Sequence, residues 1–249
     1  MVAKTVTLIF IGLLTFCASI IGNLPASLFS RQINNVTQSL DGLQTGKISG
    51  TIWNGSIEAR YQELPVSHVS WNTSLLHLIF GRINLELAIN ASGLEGNSDL
   101  TLSGESIKIS DLKLEIESSF INEVTRPLGL GLSESFTITT SEIHVSDNWF
   151  SQIIGEIFWP GGAIEIDTPI ERLRIQLPPL SGIVKMENKD AKLYIYLNSK
   201  ELMILSLARS GWAKAEINHL FFEQTEMSFP GTDSEIKKDP AITIEEKIL

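Results

Sequence analysis

Residues 83–116 read I-N-L-E-L-A-I-N-A-S-G-L-E-G-N-S-D-L-T-L-S-G-E-S-I-K-I-S-D-L-K-L-E-I. Ile83, Leu85, Leu87 and Ile89 alternate with polar or small residues; Leu100 and Leu102, Ile107 and Ile109, then Leu112, Leu114 and Ile116 follow. An apolar residue at every second position lies on one side of an extended chain, so each run reads as a strand. The Ser-Gly and Ser-Asp pairs between runs read as turns. Polar residues in the alternate phase imply antiparallel sheet with one face in water, because parallel strands are usually buried on both faces.

The period continues on the C-terminal side. Phe136 and Ile138, Ile143 and Val145, Ile164 and Ile166, Leu173, Ile175 and Leu177, and Leu193, Ile195 and Leu197 all keep it. Helical spacing is brief. It covers residues 26–40, residues 75–80 and residues 118–126, where Pro127 stops the last. The fold predicted is mainly β: an antiparallel, curved sheet with one or two short helices.

Two segments look like copies. Gly50-Thr51-Ile52-Trp53-Asn54-Gly55 is followed by Leu64-Pro65-Val66, and Gly155-Glu156-Ile157-Phe158-Trp159-Pro160-Gly161-Gly162 by Thr168-Pro169-Ile170. In each, a strand ends on an aromatic, and Asn54-Gly55 or Pro160-Gly161-Gly162 supplies the turn of a hairpin. A duplicated β module would give this spacing. Two unrelated strands that end in Trp before a glycine turn would give it too.

At the N-terminus, Lys4 is followed by no charged residue until Arg31. Residues 6–21 (V-T-L-I-F-I-G-L-L-T-F-C-A-S-I-I) are about as long as the shortest helices that cross a bilayer. A secretory signal peptide has the same outline. However, Leu24-Pro25-Ala26 is a poor cleavage triplet, and Phe16 before Cys17 is unsuited to a lipoprotein site. A retained anchor is the favoured reading, with the N-terminus cytoplasmic and the bulk outside the cytoplasm. The expected divisions are 1–24 (tip and transmembrane anchor), 25–45 (juxtamembrane segment), 46–150 and 151–229 (two β modules), and 230–249 (charged tail). A short β segment is expected around Ile242 and Ile244.

With 249 residues, 43% of them hydrophobic, the body has enough apolar side chain for a sizeable core. A net charge of −10 argues against nucleic acid or anionic lipid as an electrostatic partner. Cys17, the single cysteine, lies in the anchor, so no intrachain disulfide forms. Four Asn-x-Ser/Thr sequons (Asn35, Asn54, Asn72, Asn90) would be glycan sites in a secreted eukaryotic protein, but several arise by chance in a Ser/Thr/Asn-rich chain, and alone they decide nothing.

No catalytic constellation assembles. His68, His77, His144 and His219 stand far apart, none with a partner at metal-ligand spacing. There is no G-x-S-x-G, no phosphate loop and no G-x-G-x-x-G. Trp53, Trp71, Trp159 and Trp212 read as core and turn anchors, and Trp149 as a turn residue after Asp147-Asn148. The chain reads as a non-enzyme, without catalytic residue, cofactor or metal.

The order of features then becomes specific. The apolar run leads into Leu24-Pro25-Ala26-Ser27. Ser49-Gly50-Thr51-Ile52-Trp53-Asn54-Gly55-Ser56 follows, then Val69-Ser70-Trp71-Asn72 leading to Leu75-Leu76 and Phe80-Gly81-Arg82, and later residues 155–162. Over residues 1–222 this resembles the type II secretion system protein N family of Gram-negative bacteria, with Gly50, Trp53, Gly55, Trp71, Gly155, Trp159 and Gly161 as the structural motif. The resemblance implies a single-pass accessory component of the inner membrane. Its periplasmic body would assist export of folded proteins across the outer membrane through contacts with other secretion components. It implies no catalytic residue. A membrane-anchored β-groove protein that binds or transfers envelope lipid fits the alternating strands as well, and an extracytoplasmic hydrolase is a third class.

Overall fold

The computed structural model describes residues 11–12, 15–16, 19–30, 42–62, 64–73, 83–103, 106–146, 149–167, 172–225 and 240–247. Of the expected anchor, residues 11, 12, 15, 16 and 19–22 are helical, Asn23 and Leu24 leave the helix, and the rest lies outside the described residues. Among the described residues no helix is long and apolar enough to cross a membrane. A 3-10 turn, Ala26–Phe29, stands at the start of the expected helix 26–40, whose residues 31–40 lie outside the described residues, as do residues 75–80.

The body is antiparallel sheet, as the alternation predicts. Its first strands are β1 (Leu43–Gly50), β2 (Asn54–Tyr61), β3 (Ser67–Thr73), β4 (Ile83–Ala91), β5 (Leu94–Ser103) and β6 (Ser106–Ile116). Helix α1 (Ser118–Thr125) and a 3-10 turn through Pro127 lead to β7 (Leu130–Leu132), β8 (Phe136–Ser146), β9 (Trp149–Trp159), β10 (Gly162–Asp167) and β11 (Arg172–Leu177). The chain closes with β12 (Leu180–Glu187), β13 (Asp190–Leu197), β14 (Lys200–Leu207), β15 (Trp212–Ile217), helix α2 (His219–Thr225) and β16 (Ile242–Lys247). Among the described residues, thirteen strands form one sheet in the order β1-β2-β3-β4-β5-β6-β8-β9-β12-β13-β14-β15-β16, and β11-β10-β7 form a second. Among the described residues, strands β1 and β16 are its edges. Residue 150 lies within β9, so one sheet runs through both expected modules. The β segment expected around Ile242 is β16, paired with β15.

The register explains what the alternation is for. One cross-strand row runs Ile48, Ile57, Val69, Ile89, Gly96, Leu114, Ile138, Ile157, Gly182, Ile195, Met203, Ile217, Ile242, with each residue opposite the next. Every member is apolar or glycine, from one edge of the sheet to the other. A slip of one residue in any strand would turn its apolar set to the other face, so the row locks the register.

Bulges keep it intact where the sequence phase slips. In β6 the apolar positions change from Ile107 and Ile109 to Leu112, Leu114 and Ile116, and the register shifts there, with Asp111 at φ 53°. Ser110-Asp111, expected as a turn, is therefore a bulge within one strand. In β8 the same slip separates Phe136 and Ile138 from Ile143 and Val145, and a register shift against β9 between Thr140 and Glu142 absorbs it. One extra residue returns the side chains to the same face.

Among the described residues, the second sheet and α1 cover only part of the apolar face. In the second sheet, Ile164 lies between Leu132 and Ile175, and Ile166 between Leu130 and Leu173, which gives it an apolar face of its own. With α1 this sheet lies over Ile138, Ile157 and Leu193 of the large one. The Asn122 amide fixes the cover by donating to Leu132 O at 2.8 Å and accepting from Leu132 N at 2.7 Å, as a neighbouring strand would. Helix α2, which the sequence reading did not anticipate, packs on β14 and β11 with Phe222 buried. Over β1–β5 the row residues are half-buried, and in the whole row only Gly182 is buried.

The opposite face carries ionic clusters. Glu142 accepts from Lys108 at 2.5 Å and pairs with His144 at 2.7 Å, which hold its carboxyl below the ordinary range. Glu187 accepts from Lys192 at 2.7 Å and from the Tyr194 hydroxyl at 2.5 Å, and these bonds lower its pKa to about 2. The same bonds push Lys192 and Tyr194 upward. A depressed carboxyl stabilises the fold above its unfolded pKa, and that contribution is lost as pH falls from about 4.5 through about 2. The denaturant midpoint should drop on acidification from about pH 5 to about pH 2.5, and the drop should be shallower in Glu187→Gln.

Candidate functional site

The first motif element joins the N-terminal helix to the sheet. Strand β1 ends at Gly50, whose φ of 83° is the left-handed region; a Cβ there would meet Asn54 O at 2.4 Å. Ile52 and Trp53 form the loop, closed by Thr51 N donating to Asn54 O at 2.8 Å. Thr51 Oγ1 also accepts from Asn54 N at 3.1 Å and Trp53 N at 3.3 Å. The turn is thus Thr51-Ile52-Trp53, and Asn54-Gly55, expected to be the turn, open β2 instead. Gly55 lets the Trp71 ring approach, since a Cβ would stand 2.5 Å from Trp71 Cζ2.

Both loop residues bond in two directions. Ile52 N donates to Leu24 O at 3.0 Å, and Ile52 O accepts the Trp71 indole N–H at 3.1 Å. Trp53 O accepts from Thr73 N at 2.6 Å, and the Trp53 indole N–H donates to Ile21 O at 2.7 Å. Ile21 stands in the last helical turn, and its carbonyl, which also accepts from Leu24 N at 3.3 Å, uses its second lone pair for the indole. Asn23 Nδ2 takes Ser19 O in the same turn at 2.8 Å. Pro25 bridges Thr51, and Ala26 is buried. Each of these bonds is worth about 0.5–1.5 kcal/mol net. Together they set the direction in which the helix leaves the sheet.

The second element does something different. Gly155, in β9, faces Thr140, and a Cβ would meet Thr140 Oγ1 at 2.8 Å. Trp159 ends β9 at 2% exposure, stacked on Phe136 with centroids 6.0 Å apart. At Pro160-Gly161-Gly162, with Gly161 at φ 86°, the chain leaves the large sheet; β10 pairs with β11 and β7 and makes no hairpin with β9. The two motif elements therefore share sequence but not geometry. Trp53, expected to be as buried as Trp159, is half-buried at a loop tip.

Trp159 lines a cavity of about 400 Å³ between the large sheet and its cover. Ile121, Leu132 and Ile164 face it from the cover, and Phe136, Ile138, Ile157, Leu193 and Ile195 from the sheet. The Trp159 indole N–H is buried without a hydrogen-bond partner among the described residues.

The histidines are not brought together. His68 is exposed on β3, 4.0 Å from Glu58; His144 pairs with Glu142 on β8; His219 opens α2; His77 lies outside the described residues. Trp149 donates to Lys189 O at 2.9 Å, and Trp212 is half exposed on β15. Among the described residues no group of three or more His, Cys, Asp or Glu stands where it could hold a metal ion.

The family model described as type II secretion system protein N matches residues 41–221, from the edge strand β1 into α2. The chain belongs to this family. It is accordingly a component of the type II secretion system, and membership implies interaction with other components of that system. No curated protein and no solved structure matches it.

Within the protein N span lie both motif elements, the junction loop and the cavity; the helical residues that Trp53 caps precede it. Sequence reasoning found the two tryptophans but missed their separate tasks, and it missed Asn122 altogether. The Thr51 side chain two residues before Trp53 was the available signal, since Ser and Thr hydroxyls close such turns. Trp53→Phe keeps an aromatic ring, smaller than the indole, and deletes the donor to Ile21. Hydrogen exchange at residues 24–28 of the full chain should accelerate while the sheet amides stay protected. Trp159→Ala should cost about 3–5 kcal/mol in denaturant unfolding, as expected for a fully buried ring, and Trp53→Ala clearly less.

Proposed function

We propose that this chain is an accessory, non-enzymatic component of the type II secretion system. Residues 6–21 anchor it in the inner membrane, and its β body lies in the periplasm and touches other components of the machine. The observation that supports this reading best, beside family membership, is the Trp53 junction. A body that acts by contact needs a fixed orientation to its anchor, and the capped helix end supplies one. The net charge of −10 favours a basic partner surface, with association that weakens as salt rises. Deleting the gene should lower export of type II substrates while Sec-dependent entry to the periplasm continues. The wild-type chain should restore export, and so should chains with alanine at His68, His77, His144 or His219. Normal export in the deletion strain overturns the reading, and an essential histidine in a folded variant overturns its non-enzymatic part.

A second reading, a groove for envelope lipid, is favoured by one specific observation. The in-register apolar row crosses thirteen strands and stays half-open to solvent over β1–β5. Changed outer-membrane lipid with normal export in the deletion strain would put it in place of the first.

A further inference from the structure

We propose that the end of the large sheet beside the N-terminal helix rests on the periplasmic surface of the inner membrane, with Leu28, Trp53, Ile83 and Ile107 in its interfacial layer. This goes beyond the contact reading above and rests on its anchor at residues 6–21. Three observations carry it. The first is how closely the sheet is tied to the helix end. The Trp53 indole donates to Ile21 O at 2.7 Å and Ile52 N to Leu24 O at 3.0 Å, so the loop stands within a turn of the apolar run. As a helix, residues 6–21 span about 24 Å, against a hydrocarbon core of about 30 Å. Thinning of the bilayer around a short span brings the headgroups to the loop bonded at its end. Tryptophan, an apolar ring with one polar N–H, is a residue type that favours that layer.

The second observation is charge. In every strand of the large sheet from β1 to β9, the two residues at this end are uncharged: Ser, Thr, Asn and Gly, with Ile83, Leu102, Ile107, Val145, Trp149 and Phe150. The other end of the same strands carries Arg60, Glu95 and Glu115, in a chain of net charge −10. Uncharged side chains enter an interfacial layer at far lower cost than carboxylates. By sequence, the connections that begin and end here add the largely apolar run 75–80 with Arg82, then Glu105 and Asp147, none of them among the described residues. The third is the placement of exposed apolar side chains. Thr73 N donates to Trp53 O, Thr73 pairs with Leu85, and Ile83 stands two residues nearer this end, at the level of the junction loop. Ile83 pairs with Leu102 and Leu102 with Ile107, so an apolar row runs along this end of the sheet. Ile83, Ile107 and Leu28 of the 3-10 turn are exposed. Whatever covers this end must also take the apolar helix that leaves from it, and a bilayer does both.

The test uses the full chain, labelled in detergent with nitrobenzoxadiazole on one cysteine and reconstituted in phosphatidylcholine vesicles. The labelled positions are the native Cys17 and, in a Cys17→Ser background, Ile83→Cys or Ile107→Cys at this end and Tyr61→Cys or Val66→Cys, exposed at the other. Each chain should keep the wild-type denaturant midpoint, which reports folding. Ser106→Cys, exposed at the same end, replaces a variant there that does not fold. A nitroxide on the lipid headgroup should quench the label at Ile83→Cys and Ile107→Cys. It should leave emission unchanged at Tyr61→Cys and Val66→Cys, about 20 Å away along the strands. A nitroxide on the acyl chain should quench the label at Cys17. Quenching at Cys17 with full emission at Ile83→Cys or Ile107→Cys overturns the proposal and keeps the anchor. Equal quenching at both ends overturns it as well, since the sheet then lies flat on the membrane. Full emission at Cys17 overturns the anchor and this proposal with it.

Discussion

The row from Ile48 to Ile242 is the constraint on which the rest of this structure depends. Thirteen strands that each carry their apolar residues on one side must agree on which side, and a strand one residue out of step would turn its apolar residues to the polar face. The bulges at Asp111 in β6 and beside Ser141 in β8 sit where the sequence itself changes phase. Glycine occupies the row at Gly96 and Gly182, where neighbouring side chains from Leu114 and Leu193 fill the space a Cβ would take. Row residues thus settle against one another along the sheet, and a full second layer is not required at every strand.

How far this was legible from sequence depends on the source of each signal. Strand β4 alternates along its length and β6 does so on either side of its bulge, so period and face are there local facts. Helix α1 was legible through its spacing and Pro127, although the proline continues the chain in a 3-10 turn to Gly129 before the direction changes. Strand β14, with L-M-I-L at its centre, hides its period because both faces are apolar. The departure of β10 into a second sheet is not local at all. Pro160-Gly161-Gly162 specifies a sharp change of direction, and pairing with β7 and β11 decides where it leads.

The candidate sites were legible only as residues. Gly50, Trp53, Gly55 and Trp71 stand out by type and order, and all four meet at the junction loop. Their task is tertiary, because the acceptor for Trp53 lies at Ile21 and the acceptor for Trp71 lies in the loop itself. The Trp159 cavity needs three separate stretches, residues 116–138, 157–164 and 180–195, to be seen as one enclosure. No spacing within any of them announces it.

Among the described residues the sheet has two edge strands, and strand edges are templates for further strands. Both edges carry interruptions. In β1 the register shifts between Thr45 and Ile48, so the bulge and the exposed Lys47 break the line of free backbone groups. Strand β16 ends in Glu245, Glu246 and Lys247, all exposed, and Glu245 lies 3.9 Å from Lys214 of its neighbour. Charges and bulges at strand edges disfavour stacking of one copy on another. Among the described residues the sheet is open rather than closed on itself, since β1 pairs with β2 alone and β16 with β15 alone. A closed barrel would seal the apolar row from every side. Among the described residues, the second sheet stands over β6–β13 and the row along β1–β5 stays half-buried.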